Sequence, residues 1–271
     1  MIMENTQISE KVATGAAQSK LILVGEHAVV HGQPAIALPF PLIGAESIVE
    51  RTSGNVYLDS SLYRGPMESA PNSLAGIVNT VKHTLKLLQI PYEDLLIRIR
   101  SSIPPGKGLG SSASVAIAIV KSLFKFSNEK YTKDILLQLA NISETFAHGA
   151  PSGIDPLTIT SKSPVWYRRE EPIDYIEPHG DFHFVIADTG RMADTKSAID
   201  TVTNMIKSAP QKVYDTMERI GEITFEAREA LEKSGKQLLG NLLDQAQKEL
   251  ESIGVSDLSL NRLIHVAKQE G

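Results

Sequence analysis

Cysteine is absent from the 271-residue chain. No disulfide framework, thiolate metal site, iron–sulfur cluster or cysteine nucleophile can be built from it, and a reducing, intracellular setting is the natural expectation. Excess positive charge is lacking too: 27 Lys and Arg against 32 Asp and Glu leave a net charge of −5. That is the wrong sign for a general binder of nucleic acid or anionic membrane, so an anionic ligand would have to be held locally. Long hydrophobic runs are missing as well. No segment approaches the ~20 apolar residues of a membrane span, and the opening MIMENTQISEKVATGAAQSK has no apolar signal-peptide core. The expected location is cytoplasmic, with no nucleic-acid or membrane partner. What is present, 42% hydrophobic and 22% charged residues, is the composition of a globular protein of one large or two modest domains.

Gln18–Val24 reads as a buried strand stopped by Gly25, with Lys20 its odd member; a charge inside such a strand usually sits at a sheet edge or snorkels. The following GEHAVVHGQPAIALPF reads as a loop returning to another strand. Over Ser73–Gln89, Leu74, Ile77, Val78, Val81, Leu85 and Leu88 fall on one face, with Lys82, His83 and Lys86 off it, which predicts a helix. Leu95–Ser101 alternates like a half-exposed strand. A helix is expected from Ala113 to Phe124, with Ser111 and Ser112 in its first turn, and another over Asp134–His148. In the latter Ile135, Leu139, Ile142 and Phe146 point inward and Glu144 lies off the stripe. Val165–Tyr167 and Phe182–Ala187 read as strands. Three more helical stripes, Val213 to Leu231, Leu239 to Leu250 and Leu260 to Ala267, make the last third mostly helical. The acidic, proline-containing Pro172–Gly180 is the expected boundary region, giving domains 1–175 and 176–271.

The glycine-rich PPGKGLGSS lies between a strand and a helix, where backbone N–H groups and a helix N-terminus can together hold phosphate. It is neither a Walker A loop, because Gly108 rather than Ser or Thr follows Lys107, nor G-x-G-x-x-G. A plain flexible connection is the alternative, and the hydroxyls of Ser111 and Ser112 favour a nucleotide with its magnesium. His27 and His31 have the spacing of helical zinc ligands but sit in a short, glycine-bracketed segment without the Glu of H-E-x-x-H, which disfavours metal. His148, Ser152 and Asp155 lack the G-x-S-x-G elbow of a hydrolase. Phosphoryl transfer needs a metal ligand, a phosphate cradle and a residue that orients or deprotonates the attacking hydroxyl; Glu144, the loop and Asp155 are candidates for these three.

Three stretches in order, K-x-I-L-x-G-E-H-A-V-V-H-G from Lys20 to Gly32, P-P-G-K-G-L-G-S-S-A from Pro104 to Ala113, and H-G-A-P-S-G-I-D from His148 to Asp155, resemble the motifs of the GHMP small-molecule kinases. GEHAVVHG points within them to the branch that phosphorylates mevalonate. The resemblance runs from about Gln18 to Gly271. It implies an α+β fold, with an N-terminal domain like ribosomal protein S5 domain 2 and a C-terminal ferredoxin-like domain, and it implies ATP and Mg²⁺. Asp155 matches the base that takes the proton of the substrate hydroxyl, and Lys20 the lysine beside it. Ser112 and Glu144 match the magnesium ligands. Pro104, Pro105, Gly106, Lys107, Gly108, Leu109, Gly110, Ser111, Ser112 and Ala113 match the ATP loop. Glu26, His27, Ser152 and Thr195, together with Lys20 and Asp155, match substrate-contacting positions, and a homodimer is within the family's habit.

Where the family usually has Asn, HGAPSGID has Ala150. Family members also continue, beyond the helix matching Leu260–Glu270, into a strand and a third glycine-rich motif of the form K-L-T-G-A/G-G-x-G-G. The resemblance therefore implies a C-terminal domain lacking a central piece, with impaired activity. Another GHMP kinase, such as phosphomevalonate kinase, and a non-catalytic nucleotide-binding relative are the alternatives. HAVVHG argues against the first, and the retained Lys20, Ser112, Glu144 and Asp155 argue against the second.

Overall fold

A computed structural model describes residues 11–148, 152–191 and 195–270. The departure at Ala150 lies outside the described residues. Two strands set the plan. β1 (Val12–Val24) and β2 (Ala35–Asn55) extend well beyond the apolar runs that announce them, and both belong partly to each of two compact units. The first unit comprises residues 1–19, 41–103 and 111–151; the second comprises 20–40, 104–110 and 152–271.

In the first unit the later part of β2 pairs antiparallel with β5 (Glu93–Ser101), placing Ser47 opposite Ile99 and Val49 opposite Ile97. These residues are buried, as the alternation of β5 requires, while Arg98 turns to the other face and pairs with Glu50. The short β3 (Tyr57–Asp59) runs parallel to β5 and antiparallel to β4 (Arg64–Pro66). Three helices pack together beside this sheet: α1 (Ala75–Leu87), α2 (Ser111–Ser127) and α3 (Lys133–His148). Every residue of α2 from Ala113 to Val120 is buried, which explains why its sequence has no polar stripe. At Gly15 a Cβ would lie 2.3 Å from the Ala118 carbonyl oxygen, so β1 and α2 meet where neither has room for a side chain.

The inward face of α3 differs from the expected one. Leu136, Leu139, Ala140, Ser143 and Glu144 are buried, whereas Phe146 is exposed. The stripe is rotated by about one residue because two polar side chains, Ser143 and Glu144, occupy the face that apolar periodicity alone would not assign to them.

The second unit begins with the end of β1 and the start of β2. Ile36 of β2 faces Trp166 of β6 (Val165–Tyr167), and β6 continues to β7 (Asp174–Tyr175), all antiparallel. A short α4 (Ile154–Ile159) precedes β6; α5 (Thr195–Ser208), α6 (Pro210–Glu232), α7 (Lys236–Ser252) and α8 (Leu258–Glu270) follow. One core joins Val24, Ile36 and Trp166 to Ile223 and Leu231 of α6 and Leu239 and Leu242 of α7. Arg228 lies 5.1 Å from the Trp166 ring centre and pairs with Asp174 and Glu232, tying α6 to β7.

The strand expected at Phe182–Ala187 is not formed. A strand is defined by its partners, and among the described residues none pairs with this stretch. Phe182 packs on the core, but Val185 is 97% exposed. An apolar, unpaired backbone of this kind invites edge-to-edge association. Val185→Lys is therefore expected to lower the concentration-dependent light scattering of the purified chain at an unchanged melting temperature, since the side chain it replaces packs on nothing.

Candidate active site

Lys20 does not snorkel to solvent. Its side chain is only 4% exposed, and its Nζ lies 2.9 Å from Asp155 Oδ1. Asp155 stands in the first turn of α4, whose entry is shaped by Gly153 at φ 84° and by the Ser152 hydroxyl, which accepts a hydrogen bond from the Ile154 N–H. Tyr167 on β6 donates its hydroxyl to the Ser152 carbonyl, so a strand fixes the turn that carries the carboxylate. A cation taken this far out of water is tolerated only beside an anion, which accounts for a lysine in an otherwise apolar strand.

The glycine loop adjoins this pair. The Leu109 carbonyl accepts a hydrogen bond from the Lys20 N–H at 3.4 Å. Gly106, Gly108 and Gly110 have φ of 69°, 70° and 70°, the left-handed region that favours glycine. At Gly110 a Cβ would also lie 2.9 Å from Lys20 Cγ, so both the turn and the close approach require its absence. Pro104 and Pro105 open the loop, and Ser111 follows it directly as the first residue of α2.

Glu26 and His27 follow β1 and precede a short 3-10 helix, Ala28–His31. His27 has φ 60°, a strained conformation for a residue with a Cβ. Burial, and to a lesser degree His31, lower the His27 pKa, which favours its neutral form. Burial raises the Glu26 carboxyl above its ordinary value, partly offset by backbone hydrogen bonds and by Lys20. The folded chain therefore holds the Glu26 proton more tightly than the unfolded chain does. The stability this brings is complete below pH 4.5 and is lost as pH rises through the folded-state value. Glu26→Gln is accordingly expected to raise the melting temperature at pH 7 to 8, with the gain vanishing as pH falls to about 4.5; melts across that range check it.

In the first unit, Ser112 in the opening turn of α2 shares a hydrogen bond of 2.9 Å with Ser143 of α3, and Glu144 is the next residue, 2% exposed. A hydroxyl on a half-buried helical position and a carboxylate on a buried one are hard oxygen donors of the kind Mg²⁺ takes, so these residues fit that ion in their chemistry. His27 and His31 belong to no cluster of three potential ligands among the described residues. Thr195 heads α5, and its side chain lies outside the described ones.

Three participants escaped the sequence: Ser143, Tyr167 and Asp188. Asp188 Oδ1 accepts a hydrogen bond from Lys107 Nζ at 2.9 Å. Only Asp188 left a signal, an acid just before the turn glycine Gly190.

Residues 76–162 match the model of the GHMP kinases N-terminal domain. A mevalonate kinase of Aeropyrum pernix is 30% identical over 281 residues, covering 96% of this chain and 83% of that one. The chain belongs to the mevalonate kinase family of GHMP kinases. Members of this family are ATP-dependent phosphotransferases with an alcohol as acceptor, and this chain is an enzyme of that class. The structure of a mevalonate kinase from methicillin-resistant Staphylococcus aureus MRSA252 is 29% identical, with a TM-score of 0.70 over 96% of this chain and 84% of that one. The L. major mevalonate kinase, solved in complex with R-mevalonate, is 24% identical; its TM-score of 0.80 over 97% of this chain and 82% of that one marks the same α+β fold. No described helix is long and apolar enough to cross a membrane.

Proposed function

We propose that the chain transfers the γ-phosphoryl group of ATP to the C5 hydroxyl of (R)-mevalonate, giving 5-phosphomevalonate and ADP for isoprenoid synthesis in the cytoplasm. The observation that supports this most is the Lys20–Asp155 pair, a carboxylate held at 2.9 Å from a buried ammonium. Asp155 takes the hydroxyl proton as the oxygen attacks phosphorus; the new O–P bond forms as the bond to the β-phosphate oxygen breaks. Lys20 faces the charge that develops on the attacking oxygen and the transferring group. Glu26, His27, Ser152 and Thr195 orient mevalonate, and Pro104 to Ala113 wrap the nucleotide, with backbone N–H groups toward its phosphates. Ser112 and Glu144 would hold Mg²⁺, which when bound neutralises phosphate charge. In this reading residues 1–175 carry the nucleotide and substrate motifs and residues 176–271 the C-terminal domain, and two copies of the chain pair as a dimer.

A coupled ADP-release assay with Mg·ATP tests it, offering (R)-mevalonate and, separately, 5-phosphomevalonate. Turnover with mevalonate alone is expected. Turnover with the phosphorylated acid instead would move the chain to a different acceptor, and nucleotide binding without turnover of either would make it a binding protein.

A further inference from the structure

Lys107 is the only cation of the PPGKGLG loop, and its head is engaged within the second unit. Its Nζ donates to Asp188 Oδ1 at 2.9 Å and to the Arg191 carbonyl, and its side chain is 13% exposed. Asp188 is itself aimed: the same Oδ1 accepts the Gly190 N–H at 3.0 Å. Arg191 carries the connection further, its guanidinium reaching Asp257 Oδ2 at 3.2 Å and Ser259 Oγ at 3.3 Å, while Asp257 Oδ1 accepts the Leu260 N–H in the first turn of α8. A loop with three left-handed glycines is pliant by itself, and at Gly108 nothing lies within 4 Å of where a Cβ would be. Two anchors bear on its order: the Lys20 to Leu109 hydrogen bond at one end and Lys107 in the middle.

We propose that Asp188 is a positioning residue for the nucleotide: it clasps Lys107, and through it sets the glycine loop in the shape that receives the triphosphate. This rests on the reading of the loop as the ATP site. An ammonium has three donors, and the clasp occupies two, leaving one N–H for a phosphate oxygen without release of Asp188. The clasp and the ligand are thus compatible, and Asp188 acts by holding the loop in place before ATP arrives, which lowers the ordering cost of binding.

Asp188→Ala, Asp188→Glu, Lys107→Met and the double variant Lys107→Met/Asp188→Ala would be compared with the parent chain. Three readouts are equilibrium binding of a non-hydrolysable Mg·ATP analogue, the separate KM values, and amide hydrogen exchange over residues 105–110. Asp188→Ala is expected to weaken nucleotide binding by about three- to tenfold, the loss of a charge-assisted hydrogen bond. It should raise the KM for ATP, leave the KM for mevalonate within about twofold, and speed exchange in the loop. Asp188→Glu should recover part of the affinity, and the double variant should bind no more weakly than Lys107→Met alone, because the two residues act through one contact. Unchanged loop exchange in Asp188→Ala overturns the proposal. So does tighter nucleotide binding, which would mean that Asp188 competes with the triphosphate for Lys107. A parent chain that binds no nucleotide defeats the kinase reading instead, and the exchange experiment still decides whether the clasp orders the loop.

Discussion

Asp155→Asn is expected to reduce kcat by about 10²- to 10⁴-fold, the usual range for loss of a positioned general base, with the KM for ATP little changed. The amide keeps the shape of the carboxylate but can neither take the hydroxyl proton nor offer Lys20 a counter-charge. Removing one partner of a buried pair normally destabilises strongly, because the other charge is left uncompensated. Here Lys20 keeps an electrostatic interaction with Glu26, so the melting temperature should fall less than the isolated pair would suggest. Lys20→Met separates the two contributions: it removes the buried cation and keeps the base, so kcat drops through the loss of charge stabilisation alone. A decline of less than about tenfold in Asp155→Asn would take the proton-accepting role away from this residue.

Gly15→Ala carries the largest expected effect on stability. The added Cβ would lie 2.3 Å from the Ala118 carbonyl oxygen and 2.4 Å from the Ser122 nitrogen, both main-chain atoms of the buried helix α2. A side-chain neighbour could turn aside, whereas a helix backbone packed on all sides cannot. Overpacking typically costs about 1 to 3 kcal/mol, and a clash with main-chain atoms belongs at the upper end, roughly 6 to 12 °C in melting temperature for a chain of this size. Gly240→Ala is the matched control, since Gly240 sits on the exposed side of α7 with nothing within 4 Å of the added methyl. It should gain about 0.5 to 1 kcal/mol from helix propensity. Thermal unfolding of the two variants side by side would show whether the β1–α2 approach is as close as described.

Much of the site is legible because it is local. The strand before the loop, the left-handed glycines and the start of α2 at Ser111 all follow from neighbouring residues, and so does the turn that precedes Asp155. Lys20 and Asp155 are far apart in sequence, and no periodicity connects them; only the family resemblance did. Glu144 shows a different limit. Its burial depends on packing among α1, α2 and α3, which overrides the polarity that a single-helix pattern assigns to the outside. Helix α4, six residues long, is too short to display a period, and the hairpin of β3 and β4 is too short to alternate. Phe182–Ala187 has the composition of a strand, but a strand also needs a neighbour, and composition says nothing of that.

The interleaving of the two units bears on how the chain is made. Residues 1–19, 41–103 and 111–151 are all available once position 151 has left the ribosome, whereas residues 20–40 and 104–110 belong with 152–271. At roughly 5 to 20 residues per second, making residues 152–271 takes roughly 6 to 24 s. Early in that interval the nascent chain carries Lys20 and the glycine loop without their partners: Asp155 follows in under about 1 s and Asp188 in roughly 2 to 7 s. The reactive pair thus becomes possible only after the sequence of the first unit is complete, and a ribosome that stalls short of Asp155 leaves a polypeptide without it.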